Sequence, residues 1–306
     1  MTWPELNYDT LKETKDTLHL WSQIVGKVRT ARTPWVNHSW HVTLYVTSRG
    51  LATSPIPDGE RNFEIELDLL DQRLRIHTSD GDTRERALGP GSIADFHADV
   101  LENLEALGIG GSFSRIPNEI PNATPFDEDT REREYEPDAA RRLFEALVRV
   151  DDVFKTFRAR FVGKVSPVHF FWGSFDHAVT RFSGRPAPPH PGGIPALPDW
   201  ITREAYSHEV SSAGFWPGGE VFPHALFYSY AYPAPDGFSE ASVRPSAASF
   251  SQEMGEFVLL YDDVRRAKDP EATLLDFFQS TYEAAAELAK WDRKALEHGE
   301  PWPPRA

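Results

Sequence analysis

Hydrophobic positions along this chain alternate between two spacings, and the changes of spacing divide it into elements. From Tyr8 to Val28, Leu11, Leu18, Trp21, Val25 and Val28 form one stripe at helical spacing. Leu143, Leu147, Val150, Phe154, Phe157 and Phe161 do the same without a break, behind a start signal at Pro137-Asp138. Burying such a stripe contributes roughly 1.5–3 kcal/mol per large side chain, so both predicted helices must face an interior. Pro34 and Pro167 prevent either helix from continuing.

The period then drops to two. Trp40, Val42, Leu44 and Val46 alternate with His41, Thr43, Tyr45 and Thr47, which predicts a half-buried strand ending at Ser48-Arg49-Gly50. Leu51 to Ile56 returns beside it. Phe63, Ile65, Leu67 and Leu69 alternate with Glu64, Glu66 and Asp68, and Leu74 to His77 follows a turn at Asp71-Gln72. Four sequential strands with short links imply an antiparallel meander. A helix opens at Ser92, capped with Asp95, and turns Ile93, Phe96, Val100, Leu104 and Leu107 inward. Ser112 to Ile116 reads as an edge strand.

The second half follows the same plan with more decoration. Its strands are expected within Phe170 to Phe182 and at Tyr206 to Ser211, Ala225 to Tyr232 and Glu256 to Tyr261. Asp269-Pro270-Glu271 starts a last helix running to about Leu296, and Gly299 to Ala306 is expected to fray. The tract from Arg185 to Gly193, rich in proline and glycine, predicts a surface loop. Two shared words suggest a repeat: Val25-Gly26-Lys27-Val28 with Val162-Gly163-Lys164-Val165, and Ile93-Ala94-Asp95-Phe96 with Leu274-Leu275-Asp276-Phe277. The expectation is an α+β protein of two similar halves by internal duplication, each helix–antiparallel β-meander–helix. The halves would be residues 1–116 and 138–306, with a proline-bounded linker at 117–137, and the two sheets are free to run together.

Composition narrows the partners. The formal net charge of −15 and the lack of a dense basic run argue against nucleic acid and anionic membranes. There is no cysteine, which removes thiolate nucleophiles, disulfides and Cys-ligated metals. Met1 to Glu5 has neither the basic nor the apolar region of a signal peptide, and no apolar run is long enough to span a bilayer, so a cytoplasmic protein is expected. Against 2 Met stand 20 Phe, 9 Trp and 9 Tyr, read either as a rigid core or as the lining of a ligand cleft.

No phosphate-cradling loop, dinucleotide fingerprint, nucleophile elbow or His-Glu-x-x-His helix is present. Histidines and their acidic neighbours remain. His41 shares a strand face with Tyr45 and Arg49, and the repeat makes Asp176 its counterpart, so the two could meet across a pseudo-twofold axis; the alternative is two unrelated polar residues on wet faces. His169, His177 and Arg181 share the parity of Phe171 and Val179, a buried-looking face on which Arg181 needs a carboxylate or a ligand anion. His208 and Glu209 form a titratable pair, followed by Phe215-Trp216-Pro217 between glycines, either a ligand floor or a loop clamped by its own rings.

At Asn37 to Val46 and Val165 to Asp176, and again at Pro189 to Gly193, Ser207 to Gly219 and Phe227 to Pro233, the chain resembles a bacterial family known only as a domain of unknown function. The resemblance covers nearly the whole chain and implies no activity. Two functions follow as expectations. The first is small-molecule binding, or hydrolysis by His41, His169, Asp176, His208 and Glu209 with an optional divalent metal, in a cleft between the halves. Arg181, Trp216, Tyr45 and Arg49 would then bind the ligand. The second is a non-catalytic scaffold that binds a protein through its aromatic loops.

Overall fold

A computed structural model describes residues 3–298, so the expected fraying of Gly299 to Ala306 lies outside the described residues. The first half runs α1 (Tyr8–Arg32), β1 (Tyr45–Val46), β2 (Gly50–Ala52), β3 (Ile56–Asp58), β4 (Arg61–Asp68), β5 (Arg73–Thr78), β6 (Thr83–Ala87) and α2 (Ile93–Ala106). The second runs α3 (Pro137–Ala159), β7 (His169–Phe171), β8 (Asp176–Pro186), α4 (Asp199–Ala205), β9 (His208–Trp216), β10 (Leu226–Tyr232), β11 (Ser249–Ser251), β12 (Glu256–Leu260), α5 (Tyr261–Arg265), α6 (Pro270–Leu288) and α7 (Arg293–Leu296). The predicted starts hold: the Ser92 hydroxyl accepts from the Asp95 amide at 3.0 Å, and Pro137 and Pro270 occupy first turns.

The protein is a mixed α+β fold with two antiparallel sheets. One has the order β1-β2-β4-β5-β6, with β3 on β4; the other is β11-β12-β10-β9-β8-β7. They meet at a single pair, where the Leu44 and Phe170 amides each donate to the other's carbonyl at 2.9 Å. Helices form one layer in the order α2-α1-α3-α6, with α3 on β8 and α6 on β9 and β10. One hydrophobic core runs beneath the whole layer, from Phe63 and Ile65 of β4 to Phe215 and Phe227 of the second sheet.

Several expectations are corrected. Residues 40–43 are not strand; a left-handed backbone at His38 and Ser39 turns the chain, and regular pairing begins only at Leu44. Ser112 to Ile116 is irregular, and β6, polar but for Ala87, had no apolar period to betray it. The last long helix stops at Leu288, where Lys290 is left-handed and the Trp291 amide donates back to the Ala286 carbonyl at 2.8 Å. The shared words occupy unlike places: residues 25–28 lie inside α1, residues 162–165 follow α3, Ile93 opens α2 and Leu274 is the fifth residue of α6. Internal duplication is therefore not shown by those words.

The presumed face of His169, His177 and Arg181 is also split. Phe175, left-handed, lies in the turn that separates β7 from β8, so Phe170 pairs with His177 while His169 pairs with Ala178. His177 and Arg181 point at the helices, and His169 at the opposite face. Arg181 is fully buried, yet no carboxylate among the described residues pairs with it. Its guanidinium lies 3.5 Å from the Phe157 ring centre and 4.3 Å from that of Tyr282, and it donates to the Phe157 carbonyl in the last turn of α3. The helix's negative end and two ring faces replace the expected anion. Burial pushes its pKa down to about 9.

Because this charge has no ion-pair partner among the described residues, Arg181→Met, similar in length, is expected to leave stability within about 1 kcal/mol or raise it. Arg181→Ala, which opens a cavity, should cost roughly 2–5 kcal/mol. Urea unfolding of both variants checks this; a loss above about 3 kcal/mol in the Met variant would show that the guanidinium itself holds the fold.

Candidate functional site

The second sheet is covered on both faces, and the face away from α3 and α6 carries the unusual residues. Register places Thr180, Ser212 and Tyr230 in one row across β8, β9 and β10, and Ala178, Gly214 and Tyr228 in the next. The small pair Ala178 and Gly214 lets the Tyr228 ring lie across β9; a Cβ at Gly214 would stand 2.0 Å from its Cζ. The Tyr228 hydroxyl thereby reaches β8 and donates to Asp176 Oδ2, while Ser174 Oγ donates to Oδ1. Alongside, the Tyr206 and Tyr230 hydroxyls pair at 2.7 Å, as do those of Thr180 and Ser212 at 2.9 Å.

A lid closes over this floor. It consists of the proline-rich loop after β8, helix α4 and the turn at residues 35–40. Its fastenings are local: Glu204 accepts from the His38 amide at 2.8 Å, His38 Nδ1 donates to the Ala205 carbonyl at 2.9 Å, and the Glu119 amide donates to Pro195 at 2.9 Å. Between floor and lid lies a cavity of about 300 Å³. Its walls include the rings of Trp35, Trp40, Phe171, Trp172 and Phe182. Nine non-glycine residues among those described are left-handed; His38, Ser39 and Glu119 line the cavity, and Phe175 adjoins it. Such conformations cost of order 1–3 kcal/mol each and concentrate where a site is being shaped.

The acids here share one electrostatic condition. Burial raises the pKa of Asp176 against the lowering effect of its two hydroxyl donors. Burial and the charge of Asp176 push Glu119 up to about 7 and Glu256, on the same face of β12, up to about 8. At the other end, Lys164 Nζ donates to His38 Nε2 at 2.6 Å and lies over the Trp40 and Phe182 rings. Burial lowers the pKa of both His38 and Lys164.

Of the nine residues singled out from sequence, Asp176 alone lines the cavity. His41 does not meet it: its Nδ1 accepts from the Val36 amide at 3.2 Å and its ring packs on Trp35. His169 is sealed among Trp40, Tyr45 and Phe171 with neither nitrogen partnered, and burial pushes it down to about 3. His208 stands edge-on to His38 at 6.1 Å, outside the lining, while Glu209 turns to the other face and accepts from Arg185 at 2.6 Å. That same Arg185 donates to Ala289 at the end of α6, so this pair ties β9 to a helix. Tyr45 packs under Arg29, Arg49 pairs with Asp68 and Asp71, and Arg181 sits under α3. Trp216 ends β9 beside Gly219, outside the lining.

Sequence reasoning missed the tyrosines, Glu119 and His38. A signal existed for the first: Tyr228, Tyr230 and Tyr232 recur every second residue, the mark of one strand face lined with hydroxyls. Glu119 carried none, since only the tertiary fold brings residue 119 to Gly173. No group of three or more potential metal-ligating side chains is present among the described residues.

The fold and site define an α+β protein with a lidded cavity on the outer face of its second sheet. The chain belongs to a family of unknown function, DUF5996, matched over residues 3–298. No curated protein and no solved structure matches it. No described helix is long and apolar enough to cross a membrane.

Two measurements probe this site. Raised carboxyl pKa values mean that the fold holds protons the unfolded chain has lost, so stability present below about pH 4.5 drains away as pH rises toward 7 for Glu119 and 8 for Glu256. The melting temperature should fall between pH 5 and 8, and Glu119→Gln and Glu256→Gln should each flatten that fall; an unchanged slope in both contradicts it. Gly214→Ala should displace Tyr228 and cost roughly 1–3 kcal/mol by urea unfolding. In a Tyr228→Leu background, with the ring gone, the same change should cost under about 1 kcal/mol.

Proposed function

We propose that this protein binds a small organic molecule in the cavity beneath α4 and the proline-rich loop. What carries the reading is the combination of a partly covered cavity of about 300 Å³, aromatic rings in its walls and a buried, doubly hydrogen-bonded Asp176 at its floor. Ligand pockets have this make-up: mostly apolar surface with a few convergent polar groups. The Thr202 hydroxyl adds support, since the residue is 2% exposed, lines the cavity, and its hydroxyl has no partner among the described residues. A metal-assisted hydrolysis draws no comparable support, because His41, His169 and His208 stand outside the lining.

The cavity takes residues from both halves, with Thr30 to Val42 on one side and Phe171 to Tyr230 on the other. We further propose that the halves descend from one unit. Support for this comes from the order of elements: each half has a helix, a meander growing outward from the Leu44–Phe170 seam, and a closing long helix.

A fragment screen by NMR tests the binding reading. Fragments should perturb resonances of Trp172, Tyr228 and Tyr230, and Ala205→Phe, which fills the cavity from the lid, should abolish those perturbations without changing the circular dichroism. Saturating a hit at about a hundred times its Kd should stabilise the fold by ~2.7 kcal/mol. Fragment binding that persists in Ala205→Phe would place the ligand elsewhere.

A further inference from the structure

The cavity's polar groups are unequal in kind. Of six hydroxyls at its floor, on Ser174, Thr180, Tyr206, Ser212, Tyr228 and Tyr230, four protons are spent inside the wall: two on Asp176, one between Tyr206 and Tyr230, and one between Thr180 and Ser212. What remains is chiefly acceptor capacity. Each Asp176 oxygen takes one hydrogen bond and has room for another. The Glu119 carboxyl has no hydrogen-bond donor among the described residues, although its oxygen sits against Gly173, 2.0 Å from where a Cβ would be. No lysine or arginine is among the described lining residues.

The basic groups nearby are committed elsewhere. His177 lies behind Asp176 on the helix face, where its Nε2 meets Asp151 at 3.1 Å. Lys164 is held by His38 at the far end, and Lys27, whose ammonium lies 5.5 Å from the Trp172 ring centre, donates to Asn118 Oδ1. Rings complete the lining, and their faces carry the negative side of the aromatic quadrupole. Carboxyl groups without a counter-ion, surplus acceptors and several ring faces complement one kind of charge.

We infer that the ligand is an organic cation, an amine carried on a compact apolar or aromatic body, with its ammonium group on Asp176 and Glu119. This rests on the binding reading above and narrows it to a ligand class. An ammonium supplies the donors that the floor lacks, through charge-assisted hydrogen bonds to Asp176 and to Glu119, which gives up its proton as the cation binds. Its remaining face meets the Tyr228 ring, where cation–π attraction is strengthened by exclusion of water. An anionic ligand would meet uncompensated like charge.

Three probes of nearly equal shape separate the possibilities: phenethylamine, 2-phenylethanol and phenylacetate, each titrated by calorimetry and by NMR. Phenethylamine should bind roughly tenfold or more tightly than the alcohol, and phenylacetate weakest. Asp176→Asn and Glu119→Gln should each remove most of the amine's advantage while leaving the alcohol within about twofold. Should Asp176→Asn fail to fold, Glu119→Gln, which breaks no hydrogen bond of the floor, decides alone. Equal or tighter binding of the alcohol, or an amine affinity that ignores both substitutions, overturns the cation. If the amine fails while neutral fragments still perturb Tyr228 and Trp172, the cation falls and the binding cavity stands. If every probe and fragment fails, both fall.

Discussion

One buried guanidinium organises the junction of this molecule. Arg29, in the last turn of α1, donates through Nε to the His41 carbonyl at 2.7 Å and through Nη1 to the carbonyls of Thr43 and Thr53. Buried backbone carbonyls must find donors, and residues 40–43 have no ladder to supply them. The accounting closes residue by residue. Trp40 accepts from the Thr43 hydroxyl at 3.4 Å, Val42 from Trp172 Nε1 at 2.7 Å, and Leu44 from the Phe170 amide across the seam. With those carbonyls satisfied, the chain can cross the junction without being a strand. That irregular crossing is what puts Trp35, His38 and Trp40 over the second sheet.

The cavity follows from that placement. A sheet with both faces covered should carry apolar residues on both, and apart from His177 and Arg181 on β8 the helix side is built on Val179, Ala213, Phe215 and Phe227. The lid side does not: its rows hold Thr180, Ser212, Tyr228 and Tyr230. Polar groups at such a position are tolerable only when each is partnered, and the hydroxyls solve this among themselves and with Asp176. The carboxyls are not solved in the same way. Burial raises the pKa of all three, and the charge of Asp176 raises Glu119 and Glu256 further, beside a cavity with no lysine or arginine among its described lining residues, an arrangement that costs stability and is unexplained by packing alone.

Much of the framework was legible because it depends on period and on caps. The helices α2 and α3 begin where Ser92 and Pro137 say they should, and β4 buries Phe63, Ile65 and Leu67 as their alternation requires. The candidate site was hardly legible. Alternation from Trp40 to Val46 is genuine in the sequence, yet Arg29 and Trp172 satisfy the same carbonyls from the side, and the turn wins over the strand. Histidines drew attention by their chemistry, but His41 and His169 serve as packing surfaces for Trp35, Trp40 and Tyr45. Arg181 was expected to need an anion and instead uses the end of α3 and two rings.

By itself, the sequence determined the class of fold, the start of each long helix and the inward faces of the strands, because these depend on neighbours three, four or two residues away. It also determined that Asp176 would need explaining. Tertiary structure alone decided that Asp176, Glu119 and three tyrosines would share one hollow. Their separations along the chain, from residue 119 to residue 230, carry no periodic trace; they meet only because two sheets join at one residue pair and a lid from both halves folds across the seam.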